Sequence, residues 1–127
     1  KEYTRMTKTK TLKAQFRNDK GDIVKLDDSL TDLLTYKEAK EYCRILGLGW
    51  RLPKYKELDT LYAKREVVLL TRELDAGVPY WSDREKDMNY AYCVRMNSEC
   101  SRTMQRPVPN STKLRVVFVY GGKYKND

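Results

Sequence analysis

The sequence predicts an α+β domain in which two consecutive helices lie between an N-terminal hairpin and a C-terminal antiparallel sheet. Three stretches predict it. "LKAQFRNDKGDIVKL" alternates apolar and polar residues around a turn. "TYKEAKEYCRILGLG" carries a helix start signal and then helical periodicity. "KLRVVFVY" is β-branched and aromatic almost throughout.

Taken in order, "KEYTRMTKTKTL" is either a tail or an edge strand guarded by lysines. Leu12, Ala14 and Phe16 then alternate, Asn18 to Gly21 supply a turn, and Ile23-Val24 begin the return strand. Thr35 can cap the first helix while Glu38 reaches back to complete a capping box. Ala39, Tyr42, Cys43 and Leu46 share its apolar face, and Gly47 and Gly49 end it. The second helix starts just after Pro53, with Glu57 in its first turn and Leu58, Leu61 and Tyr62 on its apolar face. Val67 to Leu70 either extend that helix or form a buried strand. Residues 75–89, "DAGVPYWSDREKDMN", read as a long loop broken by Gly77 and Pro79. "YAYCVRM", "CSRTM" and "KLRVVFVY" read as closing strands.

A chain of 127 residues is one domain's worth, and 40% apolar with 35% charged residues is ordinary globular composition. It opens on Lys1, which reads as processing or trimming. No stretch approaches the roughly 20 apolar residues of a membrane span. The net charge of +8 is uneven. Residues 1–20 and 101–127 carry about +5 each, whereas 21–100 are slightly acidic. If the ends meet, their charges make one basic face for a polyanion; otherwise they make a solvated surface. The sequence has no histidine, the usual general base and commonest metal ligand. Cys43, Cys93 and Cys100 lack CxxC spacing, which argues against zinc. Cys93 and Cys100 can form a disulfide across a hairpin turning near 96–98. One disulfide suits an exported protein, and three thiols suit a cytosolic one.

"WRLPKYKEL" at 50–58, following the first helix, and "YWSD" at 80–83 resemble the C-type-lectin-like fold. More narrowly, they resemble the bacterial domain family at the C-terminus of the Legionella collagen-like adhesin. The likeness runs from about Leu30 to Tyr120. It implies two helices packed on antiparallel sheets with a long loop region, in a single domain over 1–127 with 1–10 as a flexible tail. It also implies a secreted or bacterial cell-surface protein. "WRLP" followed by "EL" is shared with formylglycine-generating enzymes and with phage and retroelement variable proteins of that fold. The motif therefore specifies fold rather than function. Within it, Trp50 is expected to fill the core, Arg51 to pair with a carboxylate or carbonyl, Pro53 to start the helix and Glu57 to open its first turn. Trp81 is expected to be a core residue. Two departures stand out. Lys54 follows the proline where the family often has Thr or Ser, a better cap. The last strand lacks a cysteine to bridge Cys43, which makes Cys43 a buried thiol.

Calcium-dependent sugar binding is not expected. "VPN" at 108–110 follows "YWSD" in the wrong order, and Val108 offers no carboxylate. No cofactor or metal is implied, and no carboxylate pair or cysteine pair marks an enzyme. The resemblance and the charge together point to a non-enzymatic binding domain for an anionic polysaccharide, sulfated or acidic, or for a surface partner. The expected contacts are Lys13, Arg17, Arg84, Arg95, Arg102, Arg106, Lys113 and Arg115, with Tyr80 stacking. The alternative is a protein-interaction or assembly module of a larger surface or phage structure. Nucleic acid is a weaker third partner, since no recognition helix is visible. Oligomerisation through a longer parent protein stays open.

Overall fold

The computed structural model describes residues 14–75, 77–97 and 102–121 and, within them, all side chains but those of 97 and 102–104. The expectations for residues 1–13, and for Cys100, lie outside the described residues. In the N-terminal hairpin, β1 (Gln15–Arg17) pairs antiparallel with β2 (Ile23–Asp27). Phe16, Val24 and Leu26 point inward while Arg17, Ile23 and Lys25 face out. Asn18 fixes the turn by accepting from the backbone amides of Lys20 and Asp22 at 3.0 and 2.9 Å.

Helix α1 (Tyr36–Leu46) begins at the expected capping box. Thr35 Oγ1 accepts from the Glu38 amide at 3.1 Å, and Glu38 Oε1 accepts from the Thr35 amide at 2.9 Å. The helix ends at Gly47, whose φ of 126° suits glycine. A two-residue strand, β3 (Trp50–Arg51), leads to α2 (Tyr55–Ala63). Beyond it, residues 64–67 form turns and 68–70 are irregular, so Val67 to Leu70 neither extend the helix nor make a strand.

Strands β4 (Pro79–Glu85), β5 (Tyr90–Asn97), β6 (Arg102–Pro109) and β7 (Phe118–Tyr120) complete the described elements. The first sheet has the order β1-β2-β7-β3 and the second β4-β5-β6, antiparallel throughout. The architecture is therefore α+β, two helices with antiparallel sheets. The long loop expected over 75–89 contains strand β4 in its middle, at Pro79–Glu85. Tyr80, Trp81 and Ser82 are all buried, so the alternation that would have marked a strand is missing. Conversely, "KLRVVFVY" is a strand only at Phe118–Tyr120, with isolated bridges at Leu114 and Arg115. Its apolar run has another cause. Val116 and Phe118 join one core cluster while Val117 and Val119 join the other, so the segment is buried on two sides as it passes between the sheets.

Those clusters hold the fold. The first contains Phe16, Val24, Leu58, Leu61, Tyr80, Val94 and Met96, and the second Tyr36, Ala39, Cys43, Leu52, Trp81 and Cys93. Trp81 is fully buried, edge-on to Tyr36 at 5.3 Å, and its indole N–H donates to the Leu34 carbonyl at 2.7 Å. Trp50 is only half-buried and tilts against Tyr120 at 5.5 Å, so it flanks the second core cluster rather than filling the centre.

The centre of the turn is Glu57 instead. Its fully buried carboxylate accepts from Arg51 Nη1 and Nη2 at 2.7 and 2.8 Å and from Asn18 Nδ2 at 2.9 Å. The Lys54 amide donates to it at 3.1 Å, as the N-cap amide does in a capping box. Arg51 Nη2 also donates to the Gly121 carbonyl at 2.9 Å. A bidentate guanidinium–carboxylate pair with further donors satisfies a buried charge that would otherwise be very costly. This one network ties the hairpin turn, the start of α2 and the end of β7.

Candidate functional site

The start of α2 lies against β4, where the Asp83 amide donates to the Pro53 carbonyl at 2.9 Å. Around that junction lies a cleft of about 1200 Å³. Asp19 and Lys20 of the hairpin turn, Tyr36 and Lys40 of α1, and Lys54, Tyr55 and Lys56 at the start of α2 line it. Asp83, Arg84 and Glu85 of β4 and Gln105 of β6 complete the lining. Five cationic side chains thus meet three carboxylates in one concavity.

The charges there are partly matched. Lys40 Nζ lies 2.9 Å from Asp83 and Lys54 Nζ lies 4.0 Å from it, so one carboxylate holds both lysines near the β4 edge. Arg84 stacks its guanidinium over the Tyr92 ring at 4.3 Å, and neither it nor Lys56 forms an ion pair among the described residues. Tyr36 forms part of the wall, its ring set against Trp81 and with Lys40 Nζ 5.7 Å from its centroid. Its hydroxyl is buried and, among the described residues, has no hydrogen-bond partner. Burial foremost, then the charges of Asp83 and Glu85, raises its pKa well above that of a free tyrosine, so it stays protonated. Among the described residues the lining contains no serine, threonine, cysteine or histidine to act as a nucleophile or histidine base.

Of the described residues expected from the sequence to contact ligand, only Arg84 lies in this cleft. Arg95 and Arg106 are exposed on β5 and β6, Arg106 opposite Cys93 in the register, with Arg95 Nη1 donating to the Gly77 carbonyl at 2.7 Å. Arg17 is exposed on β1 and donates to the Gly21 carbonyl at 2.6 Å. Lys113 is exposed 3.8 Å from Glu38. Arg115 is three-quarters buried in an ion pair with Asp75, so it braces the Asp75 segment instead of facing solvent. Tyr80 is 2% exposed in the first core cluster, with its hydroxyl turned to the Asp75 amide, and so cannot stack on a ligand. The Arg102 side chain and Lys13 lie outside the described residues. The described part of the expected basic face is therefore spread over several surfaces.

The expected Cys93–Cys100 bridge rests on Cys100, which lies outside the described residues. Cys93 is a buried free thiol opposite Arg106 in the β5–β6 register, and Cys43 is likewise a buried free thiol. Burial pushes the Cys43 thiol up to about 11 and raises that of Cys93. Among the described residues no cluster of three or more His, Cys, Asp or Glu could hold a metal, and no helix is long and apolar enough to cross a membrane.

No family model matches the chain, and no curated protein matches it. Among solved structures, it is similar to EMS16, an antagonist of collagen receptor integrin alpha2beta1 (GPIa/IIa). The TM-score is 0.49 at 11% sequence identity, over 91% of this chain and 98% of that one.

Proposed function

We propose that the chain is a non-enzymatic binding domain of the C-type-lectin-like kind. Its ligand is an anionic glycan met at a secreted or cell-surface location and bound by the cleft between α1, α2 and β4. The observation that carries this reading is the convergence of Lys20, Lys40, Lys54, Lys56 and Arg84 on one concavity. Ammonium and guanidinium groups suit sulfate and carboxylate, and the net charge of +8 draws a polyanion in. Asp19, Asp83 and Glu85 alongside supply acceptors for sugar hydroxyls, which a site for bare polyanions would not need.

Retention on a heparin column tests it. The K56E/R84E variant should elute at much lower salt than the unaltered protein, while R95E/R106E/K113E should elute close to it. Elution of the unaltered protein below physiological salt would refute glycan binding, and an equal loss in both variants would remove the cleft as its site.

A second reading, a protein-interaction or assembly module, is favoured by the apolar surface around the turn after α1. Leu48 is 99% exposed and Ile45 68%, beside the Trp50–Tyr120 pair. A partner captured equally at low and high salt, and lost in Leu48→Asp, would support it.

A further inference from the structure

We infer that the Tyr36 hydroxyl is the specificity-determining donor of the cleft, meeting a hydroxyl of one acidic monosaccharide unit whose charged group lies on Arg84 and Lys56. This rests on the glycan reading above and assigns the unit and the contact.

A buried hydroxyl normally finds a partner, because leaving it unpaired forfeits its hydration with no bond in return. Tyr36 is 5% exposed, lines the cleft, and is the buried side-chain atom among the described residues that lacks one. The ring cannot easily turn to find a partner elsewhere. Trp81 meets it edge-on from the core at 5.3 Å, and Tyr36 is the first residue of α1, fixed by the Thr35–Glu38 cap. Lys40, whose side chain is 45% exposed, also lines the cleft, its Nζ 5.7 Å from the Tyr36 ring centroid.

The surrounding chemistry selects the ligand class. Asp83 and Glu85 lie close enough to Tyr36 to raise its pKa, and they would repel a bare polyanion placed against the hydroxyl. They would instead accept from sugar hydroxyls. Arg84 and Lys56, which also line the cleft, form no ion pair among the described residues. A unit carrying both a negative group and neighbouring hydroxyls satisfies both ends; phosphate chains satisfy only the cations.

Calorimetric titration of the unaltered protein and of Tyr36→Phe with two probes, a heparin hexasaccharide and inorganic tripolyphosphate, tests the inference. Loss of one hydrogen bond predicts an affinity for the hexasaccharide weaker by about fivefold. Tripolyphosphate binding should not change. The thermal midpoint should not fall, since the lost hydroxyl has no protein partner. An unchanged hexasaccharide affinity would mean that the hydroxyl meets a bound water only, which overturns the inference. Equal weakening for both probes would overturn it too, by making the hydroxyl a generic anion contact. If K56E/R84E abolishes hexasaccharide binding while Tyr36→Phe leaves it intact, the glycan reading stands and this assignment alone falls.

Discussion

Replacing Glu57 by glutamine changes one oxygen for an NH2 group at the most connected buried polar site in the described structure. The carboxylate receives two bonds from Arg51 at 2.7 and 2.8 Å, one from Asn18 at 2.9 Å and one from the Lys54 amide at 3.1 Å. All four partners are donors, so whichever way the glutamine amide turns, its nitrogen faces donors. Arg51, whose side chain is 14% exposed, loses its bidentate carboxylate in a largely buried setting. Breaking a buried pair by removing one partner costs about 3–5 kcal/mol, against a total stability of about 5–15 kcal/mol. For a chain of this size that lowers the melting temperature by roughly 10–20 °C. Calorimetry and urea denaturation of Glu57→Gln measure it, and replacement of both partners, E57L/R51M, should recover much of the loss. A destabilisation below about 1 kcal/mol would refute the claim that this network joins the hairpin, α2 and β7.

Two further outcomes follow from the titratable groups. Glu38 is held below its ordinary value of 4.5, chiefly by the Thr35 backbone amide. Because the folded pKa is the lower one, this contribution is present above that ordinary value and is lost as pH falls through the folded-state pKa. Glu38→Gln should therefore flatten the acid limb of the stability curve below about pH 4 relative to the unaltered protein; an unchanged limb would contradict the capping box. Cys43, pushed up to about 11 by burial, should label slowly with a disulfide reagent at pH 8 and rapidly once urea unfolds the chain. Rapid native labelling at Cys43, located by peptide mass mapping, would contradict its burial.

Local signals read directly from the sequence. The Thr35–Glu38 box and the glycine after Leu46 bound α1, and the alternation around Asn18–Gly21 marks the first hairpin. What the sequence hid were consequences of packing. Trp81 and Ser82 are buried side by side because both faces of β4 are covered there, so a strand reads as a loop. Val116 to Val119 read as one long strand because they pass between two core clusters. Glu57 was legible as a first-turn acid. Its burial depends on Asn18, 39 residues away, and no local spacing announces that. The cleft was legible only at Arg84. Lys20, Lys40, Lys54 and Lys56 lie on three separate elements and read singly as solvated lysines. Tyr36, in the first turn of α1, reads as an ordinary packing residue. Summing charge at the chain ends favoured Arg115, but Asp75, far off in sequence, neutralises it.

The most direct measurement is the map of backbone amide shifts as a heparin hexasaccharide is titrated into the labelled protein. Glycan binding in the α1–α2–β4 cleft predicts saturable changes concentrated at residues 19–20, 36–40, 54–56 and 83–85. Changes confined to Arg95 and Arg106, or to Leu48 and Tyr120, would contradict it.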